Sequence, residues 1–105
     1  MKKIILSASL FMLVMLAQAQ NSEQMIKDWE RAKTYTLHYL QAMPEENYSF
    51  KPVPDTRTFA EHMLHFTDAN YELAPLAGGL KSPIEPGAAS KSADKSKAAT
   101  IKSVM

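Results

Sequence analysis

Prolines set what this chain can fold into. They stand at 44, 52 and 54 and again at 75, 83 and 86. The residue before a proline is pushed out of the helical region. The chain is thereby divided into helical stretches that stop before Pro44 and Pro75, joined by connectors that cannot continue a helix.

The first stretch, 21–43, reads as one helix. Asn21 with Gln24 resembles a capping box at its start. Met25, Ile26, Trp29, Ala32, Leu37, Leu40 and Met43 fall on one broad arc, and Lys27, Arg31, Thr34, His38 and Gln41 fall opposite. The connector PEENYSFKPVPDTR reads as extended and partly polyproline, pinned onto the first helix by Tyr48 and Phe50. Its Asn47-Tyr48-Ser49 sequon is incidental.

Thr58 and Glu61 form the signature of a second helix start, and that helix is expected to run to about Ala74. Phe59, Met63, Phe66, Asn70 and Leu73 make its expected buried stripe, widened by Leu64 and Tyr71. A Pro/Gly/Ser loop follows, with Gly78-Gly79 as a loop pair. From Ser92 a third helix is expected, with Ala98, Ile101, Val104 and Met105 on a weak apolar side. The chain then ends inside that helix. Two and a half helices cover each other's apolar faces poorly, so the expectation is the front part of a longer all-α bundle.

Ahead of these elements, residues 1–19 read as a secretory signal peptide. Lys2 and Lys3 precede the apolar run Ile4 to Leu16, which is too short to span a bilayer, and Ala17-Gln18-Ala19 offers a small-x-small cleavage site. Cleavage would leave residues 20–105 as an exported domain, periplasmic or extracellular, with no stable membrane anchor. Its ten basic and eleven acidic residues leave no footprint for nucleic acid or anionic lipid. The absence of cysteine excludes disulfides, thiol nucleophiles and cysteine-based zinc sites. No serine-hydrolase elbow, Walker loop or dinucleotide-binding glycine pattern occurs.

Histidine carries what chemistry remains. His62 and His65 lie three apart on the second helix, and His38 lies on the polar side of the first, where it is expected to be solvated. Glu61 and Asp68 flank His65 within a turn on either side. Carboxylates so placed orient an imidazole and raise its basicity, as a metal ligand requires. The competing reading makes His65 a polar-flank residue paired with Glu61, and His62 a half-buried packing residue. Lys91, Lys95, Lys97 and Lys102 lack interleaved aromatics and read as a solvated face. Glu45 reads as solvated too.

The order of these features, more than any one of them, resembles a known family. A Trp-bearing amphipathic helix leads into Met43-Pro44-Glu45, then Tyr48-Ser49-Phe50-Lys51-Pro52, then Arg57-Thr58-Phe59-Ala60-Glu61 and Leu64-His65-Phe66-Thr67-Asp68-Ala69. Over roughly 22–90 this is similar to the front half of the DinB/YfiT-like proteins. The resemblance implies an up-down four-helix bundle, commonly a homodimer, holding nickel or zinc on three histidines. One of these comes from the second helix and two from an H-x-x-x-H pair on the last. His65 occupies the second-helix ligand position, and His62 falls where the family varies, a weaker candidate. The activity implied is metal-dependent transfer with a low-molecular-weight thiol, or hydrolysis. The H-x-x-x-H pair is absent from 1–105, so the metal is expected in a full-length parent and not in this chain alone. The rival class is a non-catalytic helical module that binds or assembles through its apolar faces.

Overall fold

A computed structural model of the chain describes Met1 and residues 22–105. Residues 2–19 of the expected signal peptide and the expected helix start at Asn21 lie outside the described residues. The elements are helix α1 (Lys2–Ala42), a 3₁₀ turn (Glu45–Ser49), α2 (Phe59–Ala77) and α3 (Lys97–Val104). Among the described residues there is no strand, as an all-α reading requires. No helix among them is long and apolar enough to cross a membrane. The chain divides into two compact units, 1–36 and 37–105.

Within the first unit the polar residues behave as the sequence predicts. Lys27 pairs with Glu23 at 2.7 Å and Arg31 with Asp28 at 3.0 Å, one turn apart on the helix surface. The apolar arc is not covered there, and Met25, Ile26 and Trp29 are all exposed, Trp29 at 53%.

In the second unit α2 packs against both the 3₁₀ turn and α3. Leu40, Tyr48, Ala60, Leu64 and Ala89 form the apolar core, with Leu40 and Leu64 fully covered. With so few apolar side chains buried, each buried polar contact carries a larger share of the stability. The most consequential of these gather at the C-terminus of α1.

The last carbonyls of a helix have no partner within it. Here Tyr48 donates its hydroxyl to Leu40 O at 2.7 Å, and Lys97 donates its ammonium to both Gln41 O and Met43 O at 2.8 Å. Burial, and secondarily the charge of Glu45, pushes the Tyr48 phenol above its ordinary value, so it stays protonated and able to donate. The exchange runs both ways. Lys97 N, at the start of α3, donates to Glu45 Oε1 at 3.1 Å. Thus an ammonium sits at the negative end of one helix and a carboxylate at the positive end of another. Lys97 and Glu45 are therefore not the solvated pair expected, because each satisfies backbone groups more than fifty residues away in the chain.

Several expectations shift for local reasons. The connector is pinned to α1 by Tyr48, whose ring also meets Phe59 edge-on at 5.0 Å, but Phe50 is exposed. Five connector residues coil into the 3₁₀ turn instead of staying extended. Helix α2 passes through Pro75 and ends at Ala77. So near the end the proline interrupts little, and the stop comes from glycine. Leu80 N donates to Pro75 O and Gly79 N to Leu76 O, with Gly79 at φ +70°, which is the Schellman closure. Helix α3 starts at Lys97 and not at Ser92. Asp94 Oδ1 takes Ser96 N at 3.0 Å in a turn, and Ser96 then caps the helix from Ala99 N. The fully buried residue of α3 is Thr100, while Ala98 is exposed.

Tyr48→Phe should leave Leu40 O buried and unpaired and cost about 1–3 kcal/mol. It would be read as a lower urea midpoint at unchanged slope. Lys97→Met should also destabilise, and the double variant should lose less than the two single losses combined, since both side chains serve one helix end. Full additivity would mean that the two contacts are independent.

Candidate metal-ligand helix

Everything that bears on the predicted site lies on α2 or touches it. The helix starts with the capping box the sequence indicates. Thr58 Oγ1 accepts from Glu61 N at 3.1 Å, and Glu61 Oε2 accepts from Thr58 N at 2.8 Å. The bond from Thr58 N, against a modest opposing effect of burial, holds Glu61 below the usual carboxylate range, and Lys51, the Thr58 hydroxyl and Lys95 add to it. Glu61 thus acts first on its own helix terminus, one turn before His65.

The buried side of α2 shares only Leu64 with the predicted one. It is Ala60, Leu64, Thr67 and Asp68, at four- and three-residue steps. Phe59, Met63 and Asn70 are half-buried, while Phe66, Tyr71 and Leu73 are exposed, Leu73 at 62%. The connector and the segment before α3 cover the Ala60–Leu64–Asp68 flank, so the wide aromatic arc cannot also face them. That rotation places a carboxylate in the interior.

Asp68 is only 8% exposed. Its Oδ1 accepts from Ala89 N at 2.8 Å, and its Oδ2 accepts from Ser90 N at 2.9 Å and from the Ser90 hydroxyl. Burial pushes this carboxyl up, but the bonds from Ser90 and Ala89, aided by the charge of His65, together outweigh it and hold the group below its ordinary value. A buried anion needs such a set of donors. Asp68 therefore fixes the 86–91 turn onto α2, a role more than twenty residues long in sequence separation.

His65 is exposed, and its imidazole makes no hydrogen bond among the described residues. Neither Glu61 nor Asp68 is hydrogen-bonded to it, although Asp68 feels its charge. His62 is also exposed rather than half-buried, and it faces an open depression that Lys51, Arg57 and Ser90 also line. His38 is exposed on α1, as expected. Among the described residues no three His, Asp or Glu side chains come together as a metal-holding group. The arrangement is two exposed imidazoles, three residues apart, on a helix that is capped at its start, closed by a glycine at its end and anchored by a buried carboxylate between.

Sequence reasoning did not identify Ser90 or the anchoring role of Asp68. The available signal was Asp68 falling in step with Ala60 and Leu64, an acid on an otherwise apolar flank. Ser90 carried no signal, because its partner is distant in the chain.

Thr58→Ala should cost about 1 kcal/mol of stability through loss of the cap. Asp68→Asn should destabilise at neutral pH and detach the 86–91 turn. Because the folded carboxyl lies below the unfolded value of 3.8, its contribution is complete above that pH and is lost as pH falls through the lower folded value. Thermal melts of wild type and Asp68→Asn should therefore converge on acidification below 3.8. A constant gap across that range would contradict an ionised Asp68 as the anchor.

Comparison with known proteins bears on the same residues. Positions 28–104, which include the end of α1, the connector, α2 and α3, match the DinB superfamily. No curated protein and no solved structure matches the chain. The match takes in most of the sequence and agrees with its all-helical elements, and the chain belongs to the DinB superfamily.

Proposed function

We propose that this DinB-type helical domain contributes His65 as one ligand of a divalent-metal site, for nickel or zinc, whose other ligands come from outside the described residues. The supporting observation is that the exposed His65 imidazole makes no hydrogen bond among the described residues and stands on a helix fixed at both ends and in the middle. Three protein ligands and an open position are what a catalytic metal of this kind requires. The described residues supply two exposed imidazoles on α2, His62 and His65, and no cluster of three.

Once bound, such a metal would supply Lewis-acid activation of a water or thiol, consistent with transfer or hydrolysis. The chain's own part is to hold His65 in place. Glu61 keeps the first turn of α2 closed, and Asp68 couples the helix to the 86–91 turn. His62, one turn nearer the start of α2, is a weaker candidate for a ligand. Export through residues 1–19 and assembly as a homodimer complete the proposal, the first resting on the signal-like sequence and the second on the resemblance alone.

A non-catalytic binding module is the second reading. It is favoured by the exposed Phe66, Leu73 and Leu76 on α2. In a full-length parent chelator separates the two, because helicity and stability that ignore it there favour the module.

In a full-length parent protein carrying the later histidines, His65→Ala should abolish bound metal and His62→Ala should only reduce it, as read by elemental analysis of purified protein. Equal metal content in the His65 variant and wild type would remove His65 from the site.

A further inference from the structure

An open depression of about 680 Å³ lies where the connector, the first turn of α2 and the segment before α3 meet. Lys51 and Arg57 line it from the connector, His62 from α2 and Lys95 from the last segment, and the carboxylates present are Asp55 and Glu61. Three fixed positive charges thus face two negative ones, with an imidazole that adds a further positive charge when protonated.

These charges do not neutralise one another by direct pairing. Among the described residues the ion pairs within 4.0 Å are those of Lys27, Arg31 and Lys33 on α1, and none involves Lys51, Arg57 or Lys95. Glu61 is already engaged by Thr58 N through its Oε2. Lys95 is held by a backbone carbonyl, donating to Ser92 O at 2.8 Å, so its position comes from the turn and not from an acid. The start of α2 lies at the same place but is already closed by Thr58 and Glu61, so the attraction for an anion comes from the side chains of Lys51, Arg57 and Lys95. Like charges brought together by the fold repel, and a bound anion relieves that repulsion.

We propose that this depression binds a small doubly charged oxyanion, the phosphate or paired carboxylates of a solute. Arg57 offers the planar forked donor that such groups accept, and Lys51 and Lys95 act as point charges on either side. The site does not require the metal proposed at His65.

The test is a ¹H–¹⁵N NMR titration of the chain at low salt, first with inorganic phosphate, then with succinate, against a chloride control of matched ionic strength. Saturable shifts confined to Lys51, Arg57, His62 and Lys95 are expected, and whichever anion saturates first identifies the class. Arg57→Gln should weaken binding at least about tenfold, as for loss of a charged hydrogen-bonding partner, and Lys102→Gln, away from the depression, should not. Should Arg57→Gln fail to give a folded spectrum, Lys51→Gln, at an exposed position, replaces it with the same expectation. Non-saturable shifts that chloride reproduces, or unchanged affinity in the folded variant, would overturn the proposal.

Discussion

The second unit depends on how the carbonyl end of α1 is closed. A helix that stops before Pro44 leaves backbone acceptors facing its neighbours, and in a thin core those acceptors cannot remain bare. Tyr48 and Lys97 supply the donors, and both reach them from other elements. Local capping by the next residues would have left α1, the 3₁₀ turn and α3 without a shared joint. Because Lys97 also presents its backbone N–H to Glu45, the joint ties the start of α3 to the connector as well. Leu40, fully buried beneath it, is the apolar part of the same closure.

A second polar joint does for α2 what the first does for α1. Asp68 is an anion inside the unit, stable there because two backbone amides and a hydroxyl point at it. With the Asp68 flank covered, the aromatic side of α2 faces outward and His65 is open. The stability of the unit and the accessibility of its candidate ligand are thus consequences of one rotation of one helix. An apolar residue at 68 would remove the charge and, with it, the hold on the turn that lines the neighbouring depression.

Much of this architecture was legible in the sequence, and the boundary between legible and illegible follows sequence distance. The capping box at Thr58 and Glu61 was readable because both partners lie within four residues. The pin at Tyr48 was readable because an aromatic follows a proline break beside an amphipathic helix. The Schellman closure at Gly79 was readable in principle, yet Pro75 gave the stronger stop signal and drew the boundary three residues early. The Lys97–Glu45 exchange and the Asp68–Ser90 anchor span more than twenty residues, and nothing in local periodicity distinguishes their side chains from solvated ones. The buried stripe of α2 was misplaced for a related reason. Aromatic residues dominate a hydrophobicity wheel, whereas burial here follows the smaller side chains that let the connector and turn approach. His65 stood out from the family-like order of residues, and its openness became visible only with Asp68 placed beneath the helix.

The most direct test of the account is whether His65 is the histidine a metal finds first. Adding Ni²⁺ in small increments to a ¹⁵N-labelled full-length parent carrying the later histidines should broaden the resonances around His62 and His65 on α2 before those around His38 on α1. His65→Ala should abolish that preference, while His62→Ala should keep it. His38 is exposed, as His65 is, so that order reports a site formed at α2 and not exposure by itself. Equal broadening at all three histidines, or a response led by His38, would contradict the assignment of α2 as the metal-ligand helix.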